Sequence, residues 1–238
     1  MLELSFDHTL DAMKRKAEEL RAQEPSRPYL GASEIGGDCD RALYYSYNNA
    51  PSNIMGWQGC FATEDGHRTE DLTAERLALV DGIVIEVKDK DGKQFGFSDF
   101  DGRFKGHIDG FITGLIQAPK TTHIWENKAC GQKKFDEFKR VKAKHGEKNT
   151  LKAWNYTYYV QAVLYMDYFD LTRHYTTVAL AGGRDYNSCR TEANPELAKA
   201  MRGRAKRIIE ARNPPPKLDE NPEYFGCRFC RYKEHCHG

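Results

Sequence analysis

The chain has no long apolar run: nothing in its 238 residues approaches the roughly 18 consecutive apolar residues that a membrane-spanning helix needs. The first 23 residues are charged and helical in pattern, without the apolar core of a signal peptide. The expectation is therefore a cytoplasmic protein with no membrane partner. There is also no excess of charge of one sign. Thirty-six Lys and Arg stand against 35 Asp and Glu, for a net +1. This excludes a globally basic nucleic-acid binder, so any basic surface must be local. Internal repeats are absent, and a composition 39% hydrophobic and 12% aromatic shows no sign of disorder. The length suits one large domain, or one domain with an appendage.

Seven cysteines are present. In a reducing compartment they are poor candidates for structural disulfides. Metal binding or plain burial is the alternative.

The pattern along the chain predicts helices that bracket a central mixed sheet, an α/β or α+β class. A first helix is expected over residues 7–23, with an apolar seam at Leu10, Met13, Ala17 and Leu20, ended by Pro25 and Pro28. Ser33 is a candidate N-cap. A short helix follows over residues 40–47, then a loop, then a long helix over residues 59–80. Strands are expected at residues 83–88 and 94–100, joined by a hairpin at Asp91-Gly92, and then at residues 104–115 and 123–129. A lysine-rich helix or lid (131–145), an aromatic helix (150–171), a strand (174–180) and a basic helix (195–211) complete the order. The N-P-P-P-K segment is a stiff linker into a cysteine-rich tail.

Two expected strands carry carboxylates where apolar residues belong. Asp109 lies in G-H-I-D-G-F-I, and Glu126 lies in H-I-W-E-N-K. A buried carboxylate is costly unless it is paired or holds a cation. Glu126 and Lys128, two apart on a strand, share a face. The set has the form D…E-x-K. Phosphodiester hydrolysis asks for such residues: oxygen ligands for a hard divalent cation, and a cation to assist the attacking water. The short motif alone is weak. Two features strengthen it. Gly66 and Glu70 form G-x-x-x-E on the preceding helix, and Gln161 and Tyr165 form Q-x-x-x-Y at a spacing that puts both on one helix face.

In this order the motifs resemble the RecB-like branch of the PD-(D/E)-x-K nuclease superfamily, over residues 33–238. The resemblance implies a restriction-endonuclease-like core and a Mg2+- or Mn2+-dependent deoxyribonuclease, an exonuclease acting on DNA single strands or duplex ends. The implied setting is recombination, repair or replication in a prokaryote or a phage-infected host, with a helicase, a recombinase or a CRISPR integrase as partner. By the same resemblance Glu70, Asp109 and Glu126 hold the metal, with the backbone carbonyl of Asn127 completing its shell. Lys128 is then the catalytic lysine, and Gln161 and Tyr165 contact DNA and support the site. Ile108 departs from the proline of the family name. Glu70 stands where many members have histidine, and His67 is the competing ligand.

The tail carries Cys227, Cys230 and Cys236, a spacing that reads as metal ligation. With S-E-I-G-G-D-C-D-R-A-L-Y-Y around Cys39, it resembles the iron–sulfur nucleases of CRISPR loci and the AddB-type repair nucleases. That resemblance implies a [4Fe-4S] cluster on Cys39, Cys227, Cys230 and Cys236, stapling the chain ends. Structural Zn2+, with His235 or His237 as a further ligand, is the alternative. Cys60, Cys130 and Cys189 have no partner pattern. The expected organisation is one nuclease domain over 1–238, with a cluster lobe from 30–58 and 213–238 and a catalytic core over 59–182.

Lysines from Lys133 and Lys134 to Lys152, and a second run from Lys199 to Arg212, would supply sequence-independent phosphate contacts. Trp154, Tyr156, Tyr158 and Tyr159 beside the first run suit base stacking or the core. The competing class is a non-catalytic nucleic-acid-binding module that keeps the fold and the cluster. A zinc-ribbon protein with an unrelated sheet is a third reading.

Overall fold

The computed structural model describes residues 8–238. Asp7, the expected start of the first helix, lies outside them. From His8 onward the helix is present as α1 (His8–Gln23). The order continues β1 (Leu30–Gly31), α2 (Asp40–Tyr47), α3 (Trp57–Ala78), β2 (Val84–Glu86), β3 (Gly96–Asp99), β4 (Phe104–His107), β5 (Gly110–Thr113) and β6 (His123–Cys130). Then come α4 (Gln132–His145), α5 (Glu147–Trp154), α6 (Tyr156–Tyr168), β7 (Arg173–Leu180), β8 (Tyr186–Glu192), α7 (Pro195–Glu210), α8 (Phe225–Arg228) and α9 (Lys233–His237). No helix among the described residues is long and apolar enough to cross a membrane.

The strands form two mixed sheets rather than one. The larger has the order β2-β5-β6-β7-β8, and the smaller β1-β4-β3. Among the described residues only β6–β7 and β1–β4 are parallel. The aromatic helix α6 lies between the sheets and is buried continuously from Tyr159 to Met166. Tyr165 meets Phe97 of β3 with ring centroids 6.2 Å apart, while the same helix packs on β6, β7 and β8. One large apolar cluster joins Ile35, Phe104, Ile124, Phe138, Val163 and Val178 around it. A smaller cluster, with Ile112, Trp125 and Tyr175, lies under α3.

Four expectations need correcting. The Asp91-Gly92 turn exists, with the Asp89 carboxylate accepting the N–H groups of Asp91 and Lys93, but it does not join a hairpin. β2 pairs with β5 and β3 with β4, so the chain changes sheets across that turn. The single strand expected over 104–115 is two strands in different sheets, with the crossing at Ile108–Asp109. The aromatic helix expected over 150–171 is broken at Asn155, whose side chain accepts the Tyr158 N–H and caps α6. Ser33 does not cap α2; the Cys39 thiol does, accepting the Ala42 N–H at 3.4 Å.

Candidate active site

Asp109 occupies the bend where the chain leaves one sheet for the other, between the buried Ile108 and the first residue of β5. Gly110, opposite Trp125 in β6, allows the close approach there, because a Cβ would sit 2.6 Å from the Glu86 carbonyl oxygen. The bend brings Asp109 alongside Glu126. The Asp109 N–H donates to Glu126 Oε1 at 3.3 Å, and Asp109 Oδ2 accepts the Asn127 N–H at 2.7 Å.

β6 is an interior strand, so Glu126 and Lys128 are not an exposed pair on a sheet edge. Glu126 is 2% exposed. Lys128 Nζ donates to Glu126 Oε2 at 2.6 Å and lies 5.1 Å from the centre of the Tyr158 ring. Glu70, on α3, lines one cavity of about 410 Å3 with Asp109, His67, Trp125, Lys88 and Gln94.

The electrostatics show three carboxylates that repel one another. Burial, then Asp109, then Glu70 push Glu126 up to about 8, against the pull of Lys128. Burial and Asp109 push Glu70 up to about 7. Asp109 is also raised, mainly by burial, despite Lys128 and the Asn127 amide. Lys128 moves the opposite way from a buried amine, because Glu126 and Asp109 outweigh its desolvation and keep it charged. Both partners of the Lys128–Glu126 pair are thus raised. Three carboxylates that share one lysine therefore resist full ionisation unless a further cation is present.

Gln161 Nε2 donates to Tyr165 Oη at 3.0 Å. The pair is almost wholly buried, and Tyr165 feels Glu126, Lys128 and Asp109. Both residues are packed beside the carboxylates, the position expected of residues that support the site. The Asn127 side chain points to the opposite face, where its Oδ1 accepts from the Thr177 hydroxyl at 2.9 Å. Tyr158, expected to stack on bases or to join the core, lies on the same helix stripe as Gln161 and Tyr165 and presents its ring to Lys128. Lys88 and Gln94 were missed for lack of any local signal. Gln94 Nε2 donates to the Ile108 carbonyl at 3.2 Å and so holds the residue before Asp109.

Lys133 and Lys134 sit exposed in the first turn of α4, and Lys134 pairs with Glu137 at 2.9 Å. Much of the remaining basic run is engaged within the fold. Lys139 pairs with Asp185, Lys142 binds Asn187 and Ser188, and Lys148 pairs with Glu192. In the second run Arg204 grips Asp40 and the Ile35 carbonyl. Of the four aromatics near the first run, only Tyr156 is exposed; Trp154 packs on Phe138.

Cys39, Cys227, Cys230 and Cys236 line one small cavity together with Arg41, Lys233 and His237. His235 instead meets the Tyr45 ring edge-on, with centroids 4.8 Å apart. Cys227 and Cys236 are raised by burial first and by neighbouring cysteines, Cys39 among them, after it. All seven cysteines are free thiols.

No group of three or more His, Cys, Asp or Glu side chains among the described residues is arranged to hold a metal ion as the side chains stand. The donor chemistry nonetheless fits at both places. Oxygen donors whose joint ionisation a cation would favour, beside an open cavity, suit a hard divalent cation. Four converging thiols with cations beside them suit an anionic thiolate-bound centre.

No protein-family model matches the chain, and no curated protein sequence matches it. Solved structures do. The alkaline exonuclease LHK-Exo of Laribacter hongkongensis superposes with a TM-score of 0.51 at 12% identity, over 82% of this chain and 90% of that one. SSO0001 superposes with a TM-score of 0.50 at 14% identity, over 96% and 95% of the two chains. At these identities the likeness is one of fold: the chain shares the α/β architecture of an alkaline exonuclease.

Proposed function

We propose that the chain is a Mg2+- or Mn2+-dependent deoxyribonuclease of the PD-(D/E)-x-K type, acting from DNA ends. One observation carries this reading: Glu70 and Asp109 line an open cavity, and Asp109 is tied to the buried Glu126–Lys128 pair beside it, an arrangement of carboxylates that is unfavourable without a bound cation. Glu70, Asp109 and Glu126 are the residues that would hold the metal. When bound, it supplies charge neutralisation at the phosphate and a more acidic water. The chain's own part is positional. Asp109 is fixed by the Asn127 amide, and Glu126 by Lys128 and the Asp109 amide. Lys128, held protonated beside Glu126, would supply positive charge as the phosphate develops negative charge. Gln161 and Tyr165 close the site from behind.

The chain ends supply a second centre on Cys39, Cys227, Cys230 and Cys236, read as a [4Fe-4S] cluster that joins the tail to α2. One observation favours the zinc reading: His237, not His235, lines the cysteine cavity.

The test is digestion of end-labelled linear single- and double-stranded DNA with and without Mn2+. The expected result is metal-dependent cleavage that Asp109→Ala and Lys128→Ala abolish. Equal digestion by parent and variants would remove the proposed site. A folded, DNA-binding parent that cleaves nothing in either metal would leave the non-catalytic module.

A further inference from the structure

A cavity of about 560 Å3 lies away from the carboxylates, between the end of α1, the loop 48–56 and the cysteine tail. Every titratable group on its wall that can carry charge at neutral pH, apart from the thiol of Cys230, is cationic: Arg21, Arg228, Arg231 and Lys233. The apolar part of the wall is turned to solvent. Ile54 is 66% exposed and Phe229 76% exposed. Phe225 lies beside Phe229, with ring centroids 6.4 Å apart, and the Arg228 guanidinium lies 5.4 Å from the centre of the Phe229 ring.

Buried rings would explain themselves as core. Two exposed phenylalanines among arginines do not. Cations spaced along a groove with accessible aromatic faces are what a single nucleic-acid strand requires: phosphates follow the charges and bases stack on the rings. The carboxylates that meet these cations are no obstacle. Glu24 pairs with Arg21, Glu34 with Arg231, and Glu223 with both Arg228 and Lys233, all as partly exposed surface pairs. Such pairs contribute little and give way to phosphate.

The groove is also held in shape. The Asn53 N–H donates to the Arg231 carbonyl at 2.8 Å, tying the loop to the tail. Arg231 and Lys233 lie between Cys230 and Cys236, so whatever holds the cysteines sets the spacing of the cations.

We propose that this groove binds a single-stranded nucleic-acid tract, outside the catalytic site, with Arg21, Arg228, Arg231 and Lys233 on phosphates and Phe229 under a base. The proposal shares its substrate class with the nuclease reading but none of its chemistry.

The experiment is fluorescence anisotropy with a labelled oligothymidylate across a salt series, on the protein as isolated and without added Mg2+ or Mn2+, so that binding is read without cleavage. Phe229→Ala removes an exposed ring and should fold normally; about a tenfold loss of affinity is expected for one missing stack. An Arg21→Ala/Arg228→Ala double variant should flatten the log K against log salt slope by about 0.7 for each phosphate that is no longer neutralised. Parent-like affinity and slope in both would overturn the proposal. So would a parent that ignores the oligonucleotide but binds polyglutamate through the same residues, which would assign the groove to an acidic protein partner. Parallel Mn2+ digestions separate the two readings. If Asp109→Ala stops cleavage while Phe229→Ala binds normally, only the groove falls. If Phe229→Ala weakens binding in a protein that cleaves nothing, only the nuclease falls.

Discussion

Asp109 and Glu126 are each held by the other's backbone segment: the Asp109 amide donates to Glu126 Oε1, and the Asp109 carboxylate accepts the amide that follows Glu126. The buried Glu126 and the half-buried Asp109 are thereby pinned where they repel each other. Neutralising one should relieve the repulsion. Asp109→Asn is expected to melt above the parent in chelator. The parent should gain about 2.7 kcal/mol at a Mn2+ concentration one hundred times its dissociation constant, whereas the variant should gain almost nothing. Thermal melts with and without Mn2+ measure both. Equal metal-induced gains would separate Asp109 from the cation site.

On the proposed reading, Lys128 acts apart from metal binding. It is a cation held among carboxylates, so removing it takes away charge at the phosphate without removing a ligand. Lys128→Ala is expected to lower the cleavage rate by a factor of about 10²–10³. Mn2+ affinity should not weaken, because the site becomes more negative. Calorimetric Mn2+ titration beside single-turnover cleavage reads the two effects apart. Loss of metal binding in Lys128→Ala would show that the lysine organises the ligands instead.

Gly106, the first residue of G-H-I-D-G, has a packing reason. A Cβ there would lie 2.6 Å from ring carbons of both Phe97 and Tyr165, and 2.9 Å from the Ala32 Cβ. The small sheet and α6 meet across this glycine. Gly106→Ala should cost about 1–3 kcal/mol by overpacking. It should also displace Tyr165 from behind the carboxylates, lowering cleavage as well as the urea midpoint. A parent-like midpoint would mean that the packing relaxes freely.

Elements whose signals are local were legible in the sequence. The helix Asp40–Tyr47 was read with its bounds, and β7 and α7 within a residue. Pairing was not legible, because partners are chosen over long distances. Asp91-Gly92 makes a real turn, yet β2 finds its partner in β5, more than twenty residues on. The two-residue β1 and the polar strand β8 (Y-N-S-C-R-T-E) carry too little apolar alternation to declare themselves. At the site, Glu126 and Lys128 could be placed on one face because strand periodicity is a local rule. Asp109 was expected within a strand and sits at a bend, because the change of sheet that creates the bend is a tertiary event. Asn155 breaks the aromatic helix through a side-chain cap, which the surrounding apolar run concealed.

His174 supplies a pH signature away from the carboxylates. It is buried in β7; its Nδ1 meets the Thr176 hydroxyl at 3.2 Å, and its Nε2 has no partner among the described residues. Burial first, then Lys128 and His123, pull it down to about 3 from an ordinary 6.5. The unfolded chain therefore takes up the proton first. The contribution of neutral His174 to stability is complete above pH 6.5 and is lost as pH falls from there toward 3. His174→Leu should flatten the fall of the urea midpoint in that window while leaving the slope above it unchanged. A variant that loses stability on acidification as steeply as the parent would place the sensitivity elsewhere.

The cysteine cavity predicts a stability effect that depends on topology. Cys39 caps α2 near one end of the chain, and Cys227, Cys230 and Cys236 lie at the other, so a shared centre closes a loop of nearly the whole fold. Closing so long a loop restricts the unfolded chain, by about 4–5 kcal/mol on the scale of long disulfide loops. Cys39→Ser, Cys227→Ser and Cys236→Ser should each lose the bound centre and lower the melting temperature by similar amounts, since any one of them opens the same loop. Cys130→Ser, outside the cavity, should retain both the centre and the melting temperature. Iron and acid-labile sulfide in the parent, with broad visible absorbance, are expected for the cluster. Stoichiometric zinc with no visible band, lost in His237→Ala, would assign the cavity to zinc instead. Metal content and melting temperature that stay at parent values in Cys39→Ser would remove the clasp altogether and leave the tail held by its packing on α2, through Tyr232 and His235 against Tyr45.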